Sequence, residues 1–416
     1  MIDFQIRDKC VLCTSNDLEQ VFELAETPIA NRFPKTLIDA TRDSNIRIPL
    51  TLLICNFCQH VQLRELVEPE ILFEDYPYVS VSNETMKERF VKLSSEIVKK
   101  SIAEKSNTVL EIGSNDGFLL KQLQDYGLQV LGVDPAKNIA HSANHLGVST
   151  IIEFFGPHVV NEILEKIGKP KVIIANNVLA HSSKLREIFL ALTELMDTST
   201  HLYVEFSYLI DVLDNTLLDT IYHEHTSYHH LLPLTKFLNE FGLKIVEATR
   251  FGAHGGSVRL MITMKSNPLV AREDLNALLD DEKRRSLESS NCETWLKFRL
   301  RAKLLEHQLK DTLHADFAKS GQKPVGYGIS AKFTTLYFGL KLDEFEISDF
   351  FDDNPLKIGN FVPGTTKRIQ SSEDLNPTLG QTIFLFAWNY KTEVISRFNR
   401  KGIYGNLIVP LPFPTF

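Results

Sequence analysis

The chain of 416 residues contains no apolar run that reaches the roughly 20 residues a membrane-spanning helix needs. Its first residues, Met1-Ile2-Asp3-Phe4-Gln5, lack the basic segment and apolar stretch of a secretory signal. The expected location is therefore the cytoplasm. Positive charge is not in excess either. The formal net charge of −8 gives no field that would gather nucleic acid or acidic membranes. Cysteine is scarce, at five residues, which excludes a small disulfide-stapled scaffold. What is present is ordinary: 43% apolar and 24% charged residues, in a chain long enough for two or three domains.

Four of the five cysteines form two tight pairs, Cys10-Val11-Leu12-Cys13 and Cys55-Asn56-Phe57-Cys58. In a reducing compartment this points to metal, because two knuckles supply the four thiolates of a tetrahedral zinc. All four positions would be filled by protein, so the zinc is expected to be structural. His60 would be a redundant fifth ligand and is expected at the surface. Between the knuckles, residues 27–33 (Thr-Pro-Ile-Ala-Asn-Arg-Phe) read as a buried turn. Beyond them, Tyr76-Pro77-Tyr78 makes a stiff aromatic edge. Asn83 can then cap a helix that shows Met86, Phe90, Leu93 and Ile97 on one face.

From Asn107 onward, strand and helix patterns alternate, which implies a parallel sheet covered on both faces. The first strand of this unit runs into Glu111-Ile112-Gly113-Ser114-Asn115-Asp116-Gly117. The second ends in Asp134, about 20 residues after the turn, where an acid can hold a ribose hydroxyl pair. The turn reads Glu-x-Gly-x-x-x-Gly, not the bare glycine loop a pyrophosphate requires. An acidic mouth suits a sulfonium and an amino group, as in the first motif of class I methyltransferases that use S-adenosylmethionine. Asn177 and His181 follow the fourth strand, where ligands collect in such sheets.

The densest chemistry is Tyr222-His223-Glu224-His225, on a loop between the strand at residues 201–206 and a helix expected over residues 234–241. His and Glu move protons near neutral pH, so this loop suggests proton abstraction. It is not a zinc-protease motif, because residue 227 is Ser, not His. The pair Gly255-Gly256 before the last strand admits close backbone approach, either to a ligand or through a bulge.

Residues 268–320 read as charged helix. A second α/β unit then opens with Gly326-Tyr327-Gly328-Ile329-Ser330-Ala331-Lys332, with Asp349 about 20 residues on. This fits a bound NAD(P) in a redox enzyme, or a nucleoside diphosphate held by Lys332 and the turn amides.

The ordered set of motifs resembles the nucleotide-sugar C-methyltransferases that make branched deoxysugars. It comprises the paired cysteines, Pro-x-Ala-Asn ending at Asn31, the Glu-x-Gly turn, Asn177 to His181, Tyr222 to His225 and His-Gly-Gly-Ser ending at Ser257. It continues through Gly326 to Lys332, Asp352 to Gly359 and Ala387-Trp388-Asn389. The resemblance implies an α/β protein of three parts: a zinc-binding domain (1–80), a class I methyltransferase Rossmann-like core (81–267) and a C-terminal Rossmann-like domain (268–416). It implies S-adenosylmethionine at Glu111, Gly113, Asn115, Gly117, Asp134 and Asn177. A dTDP- or GDP-linked sugar would meet Tyr78, Gly255, Ser257, Ser330, Lys332, Asn354 and Asn389. The active-site set it implies is Tyr76, His181, Tyr222, Glu224 and His225. The expected reaction is methylation at C3 of a 4-keto-deoxysugar through an enolate, by a monomer. His225 would be the base, with Glu224 orienting or replacing it, and Tyr222 would donate to the oxyanion with His181 and Tyr76 as helpers. Oxygen or nitrogen methylation of the same sugar is the other outcome this loop could serve.

Overall fold

The computed structural model describes residues 4–412 except 75, 78, 80–83, 105, 106, 253, 254, 286 and 379. Tyr78, Asn83 and His254 thus lie outside the described residues. No helix among those described is long and apolar enough to cross a membrane.

The N-terminal lobe is built on an antiparallel sheet of Leu18–Thr27, Ile48–Cys55, Val61–Leu63 and, at its edge, Ser227–Tyr228. The last strand belongs to the histidine-rich loop, so this loop is part of the cysteine-bearing lobe's own sheet. His60, expected at the surface, is instead fully buried, with its ring 5.4 Å from that of His229. The reason is local: Cys55 N–H bonds the His60 carbonyl as the chain turns into Val61, and the imidazole packs beside His229, just past the added strand.

The middle sheet has seven strands in the order Leu243–Phe251, Ser257–Met264, His201–Ser207, Val172–Asn176, Thr108–Ile112, Gln129–Val133, Thr150–Ile151. Five are parallel, as the alternating pattern predicts. The parallel order expected from the alternation does not extend to Ser257–Met264, which is antiparallel to both neighbours. Only residues 252–256 connect Phe251 to Ser257, too few for the crossover a parallel pair requires. Leu93 and Ile97 of the helix Glu84–Glu104 are buried against this core, with Phe90 packed beside them.

The helix after the loop starts at Leu231, three residues before its expected start, with Pro233 in the first turn. Proline is tolerated there because first-turn N–H groups have no intrahelical partner. Its N-cap residue, His230, offers no side-chain bond. Glu282 of the helix Glu273–Arg285 does so instead, accepting from Leu231 N–H (2.7 Å), Leu232 N–H (2.8 Å) and the Tyr208 hydroxyl (2.6 Å).

The C-terminal sheet is fully parallel, in the order Ile369–Ser371, Phe350–Asp352, Val325–Tyr327, Thr382–Leu385, Asn406–Ile408. The segment after its glycine turn is one short turn, Lys332–Thr334, followed by a π-helical turn, Thr335–Gly339. The wider turn brings the Thr335 hydroxyl to 2.6 Å from the Ile221 carbonyl, fastening this lobe to the start of the histidine-rich loop. Phe333 fills the core among Tyr337, Phe338, Phe350 and Phe386.

Candidate active site and metal centre

In the N-terminal lobe the four sulfurs of Cys10, Cys13, Cys55 and Cys58 lie within 4.8 Å of one another. Cys10 to Cys58 and Cys13 to Cys55 are each 3.5 Å apart. A tetrahedron with zinc–sulfur bonds of about 2.3 Å has edges of roughly 3.8 Å, so the thiols are already arranged for the ion. Each knuckle closes through a left-handed residue, Thr14 (φ 63°) and Gln59 (φ 69°). Thr14 N–H bonds Cys10 O and Gln59 N–H bonds Cys55 O. The bond to Cys10, and then burial, push the Cys58 thiol up, while the same bond draws Cys10 down to about 6. One thiol thus ionises at another's expense until a cation compensates them all.

The acidic mouth is assembled at the ends of the parallel strands. The Asp134 carboxylate accepts from Asn115 N–H (2.7 Å) and Ala136 N–H (2.9 Å) and is nearly buried. Glu111 lies behind it, raised well above the usual carboxylate range by burial and by Asp116 and Asp134. Its Oε2 and the Ser114 hydroxyl are buried without a partner among the described residues. These orphaned acceptors suit a ligand bearing an ammonium group and hydroxyls. Gly113 (φ 68°) has no room for a side chain, since a Cβ would stand 2.6 Å from Val178. Val178 follows Asn177, which lines the central cavity, so the mouth abuts that cavity.

The cavity, of about 520 Å³, lies between the lobes. One side carries Tyr76, Asn177, His181, Tyr222 and His225, and the other Ser330, Lys332, Asn354 and Asn389. Thus nine of the residues expected at the site share one space large enough for a nucleotide sugar.

His225 has a defined tautomer. Its Nδ1 is 2.8 Å from the Thr220 carbonyl, which can only accept, so Nδ1 carries the proton. Nε2 then presents its lone pair to the Tyr222 hydroxyl at 2.8 Å. The His181 ring stands edge-on to His225, with centroids 4.8 Å apart, and also meets Phe73. Burial lowers His181 to about 4, so it is neutral at physiological pH.

Glu224 does not orient His225, as the loop's sequence suggested; the Thr220 carbonyl does. The Glu224 carboxyl is fully buried, accepting from the Tyr76 hydroxyl (2.8 Å) and the Asn31 amide (2.8 Å). Burial raises it to about 7 from the ordinary 4.5, partly offset by those two bonds. Between these values the folded chain keeps a proton that the unfolded chain has released. The stability contributed is fully present below about pH 4.5 and is lost as pH rises through about 7, about 3 kcal/mol in all. Urea unfolding across that range should show wild type losing about 3 kcal/mol relative to Glu224→Gln. Parallel stability curves would contradict this.

On the C-terminal side, Gly328 (φ 78°) turns the chain beneath Ala387, which a Cβ would strike at 2.5 Å. The acid at the neighbouring strand end is Asp352, which accepts from Ile329 N–H at 2.7 Å. Asp349, chosen by counting from the glycines, instead precedes that strand and bonds Gln370. Lys332 pairs with the buried Asp219 at 2.9 Å and lies over the Trp388 ring. Trp388 Nε1 donates to the same carboxylate at 2.6 Å. The stretch around Tyr76 and Pro77 spans the lobes: Asn138 holds both ends of the Tyr76 backbone, and Asn354 Nδ2 donates to the Pro77 carbonyl.

Two expected substrate contacts are not brought to the cavity. A Cβ on Gly255 would meet Leu217 at 2.7 Å and Trp388 at 3.0 Å, so its close approach is to protein. Ser257 is fully buried in its strand, opposite Ser207. Asn31 and Thr220 were missed. Asn31 announces itself only as an asparagine in a proline turn, and it takes a left-handed φ of 56°. Thr220 acts through its carbonyl, which leaves no mark in the sequence.

Comparison with known proteins agrees with this geometry. Residues 10–73 match the model of a zinc-binding domain, residues 83–248 that of a methyltransferase domain, and residues 252–412 that of the C-methyltransferase C-terminal domain. The chain is 30% identical over 410 residues to the C-methyltransferase NovU of Streptomyces niveus, covering 98% of this chain and 96% of that one. Among solved structures, a magnesium protoporphyrin IX methyltransferase from Synechocystis with bound SAM matches at 16% identity and a TM-score of 0.30, covering 42% of this chain and 79% of that one. An S-adenosylmethionine-dependent methyltransferase from Clostridium acetobutylicum matches at 12% identity and a TM-score of 0.35, covering 42% and 92%. The assignment rests on the full-length relative and the three domain matches: this chain belongs to the S-adenosylmethionine-dependent C-methyltransferases that carry an N-terminal zinc-binding domain.

Proposed function

We propose that the protein methylates C3 of a nucleotide-linked 4-keto-deoxysugar, with His225 as the base. The observation that carries this is the His225 imidazole, anchored through Nδ1 on Thr220 and offering Nε2 beside a phenol at the edge of the cavity. A hydrogen next to a ketone can be removed only if the resulting enolate is stabilised as it forms. In the resting arrangement Nε2 accepts from Tyr222. When a sugar enters between them, the Tyr222 hydroxyl turns to the ketone oxygen and Nε2 faces the C3 hydrogen. One displacement then arms both the base and the oxyanion donor. His181, neutral at working pH, packs against the imidazole without repelling the charge His225 acquires.

Glu111, Asn115, Asp134 and Asn177 would hold S-adenosylmethionine. That cofactor supplies an electrophilic methyl group on a sulfonium that leaves as a neutral thioether, so no metal is required at the carbon. Ser330, Lys332, Asn354 and Asn389 would hold the nucleoside diphosphate. Lys332 reaches it without giving up Asp219, since an ammonium has three donors. The boundaries 1–80, 81–267 and 268–416 then divide the chain by task into zinc lobe, methyl-donor core and nucleotide-sugar lobe.

Incubation with carbon-13-methyl-labelled S-adenosylmethionine and a panel of dTDP- and GDP-linked 4-keto-deoxysugars tests the reading. The label is expected on a ring carbon by NMR. A label on oxygen or nitrogen would refute carbon methylation.

A further inference from the structure

The carboxyl of Glu224 poses a question that the proposed mechanism leaves open. It is fully buried, does not line the cavity, and is hydrogen-bonded to Asn31 and Tyr76, not to His225. Both of its hydrogen-bond donors come from residues 1–80, and one of them, Asn31, lies 193 residues away in sequence. That donor, Asn31, itself lines the cavity and holds a left-handed backbone, φ 56°, that few side chains tolerate. Its turn is wedged in place. Ile29 and Ala30 are buried, and Phe361 N–H bonds the Pro34 carbonyl. Gly364 lies so close to Pro28 that a Cβ there would stand 2.6 Å from it. Both cysteine-bearing and C-terminal lobes therefore fix where the Asn31 amide points.

We propose that Asn31 is a positioning residue for methyl transfer: its amide fixes the Glu224 carboxylate, which in turn orients the Tyr76 phenol at the wall of the cavity. The inference rests on the reading of this cavity as the methylation site. The Tyr76 hydroxyl donates to Oε2 and Asn31 Nδ2 to Oε1, so the phenol's proton points at Glu224 only while Oε2 is free to accept it. A proton on Oε2 would reverse the bond to Tyr76: the phenol would then accept, its own proton would turn away from Glu224, and its direction at the cavity wall would change. The groups that face Glu224 are the Tyr76 phenol and the Asn31 amide. His181 meets its backbone, and His223 and His225 flank it on the loop. Burial favours the protonated acid, and the two donors oppose burial. With the Asn31 donor gone, burial meets less opposition and Glu224 holds its proton to higher pH. An asparagine at residue 31 thus sets the lower pH limit of the enzyme, and does so from the cysteine-bearing lobe.

Two substitutions keep the left-handed backbone, Asn31→Gly and Asn31→Asp. The first removes the donor. The second replaces it with a carboxylate beside Glu224, which opposes ionisation further. Zinc content and S-adenosylmethionine affinity serve as folding controls. For Asn31→Gly, kcat/KM for the nucleotide sugar is expected to fall about tenfold at pH 6.5 and to recover to within about threefold at pH 8.5, as the acidic limb moves up by about one pH unit. Asn31→Asp should move the limb further in the same direction, and it carries the test if the glycine variant fails to fold. A wild-type profile in either folded variant overturns the proposal. So does a loss of rate equal at every pH, which would mark a purely structural residue. If wild type itself transfers no methyl to any nucleotide sugar, the functional reading fails instead. The position of Asn31 is then judged by the pH at which Glu224 titrates in carbon-13 NMR, in wild type and Asn31→Gly: a rise in the variant upholds its hold on the carboxylate, and no change refutes it.

Discussion

Replacing His225 with asparagine is expected to slow methyl transfer by about a thousandfold, the middle of the range for loss of a positioned base. Asparagine can still accept from Tyr222, but no group at residue 225 can then take the C3 proton. S-adenosylmethionine should bind within about twofold of wild type, because the cofactor mouth at Glu111 and Asp134 is built on other strand ends and shares no hydrogen bond with the His225 ring. The expected pattern is therefore a fall in kcat with little change in cofactor affinity, the signature of a lost transition-state interaction. Single-turnover kinetics with cofactor titration measures both. Native turnover in the variant would remove His225 from the role of base, leaving Tyr222 as the candidate.

Loss of zinc should be almost as costly. None of the four cysteines lines the cavity, yet the lobe's sheet ends in Ser227–Tyr228, two residues past His225. Leu63 N–H holds the Thr226 carbonyl at 3.1 Å, and Gln62, opposite Ser227, ties down the first knuckle through Val11 N–H and the Lys9 carbonyl. The His223 ring leans on the Pro49 carbonyl of the same sheet. Structural zinc sites supply about 10–16 kcal/mol of apparent binding energy in small zinc-finger peptides, so without the ion this lobe has little reason to keep its form. A misplacement of about 1 Å at a reacting group can cost on the order of 100-fold. Cys58→Ser, or chelation of the wild type, is expected to lower methyl transfer by at least about 100-fold, with S-adenosylmethionine affinity changed by less than about threefold. Equilibrium dialysis, metal analysis and turnover on the same samples test this. Zinc-free protein with native turnover would show that the loop holds itself.

What the sequence discloses depends on how far apart the partners lie. The zinc site is readable because both knuckles are local, and the mouth at Gly113 and Asp134 is readable because a strand, a turn and a helix suffice to build it. Asp352 was misread as Asp349 because counting residues from a glycine cannot see where the neighbouring strand ends. Gly255 was taken for a ligand contact because glycine looks the same in sequence whether a substrate or, as here, Leu217 and Trp388 fill the space beside it. Glu224 was assigned to His225 because the two are adjacent in sequence, yet its partners lie 148 and 193 residues away. The antiparallel strand Ser257–Met264 was readable from its short connection, and the preceding run of alternating elements masked it.

The most direct measurement is deuterium wash-in at C3 of the nucleotide-linked 4-keto sugar, followed by NMR in deuterated water with S-adenosylhomocysteine in the cofactor site so that no methyl transfer competes. The account expects wild type to exchange that hydrogen on the timescale of turnover and His225→Asn to exchange it about a thousandfold more slowly. Equal exchange in the two proteins, or none in wild type, would contradict it.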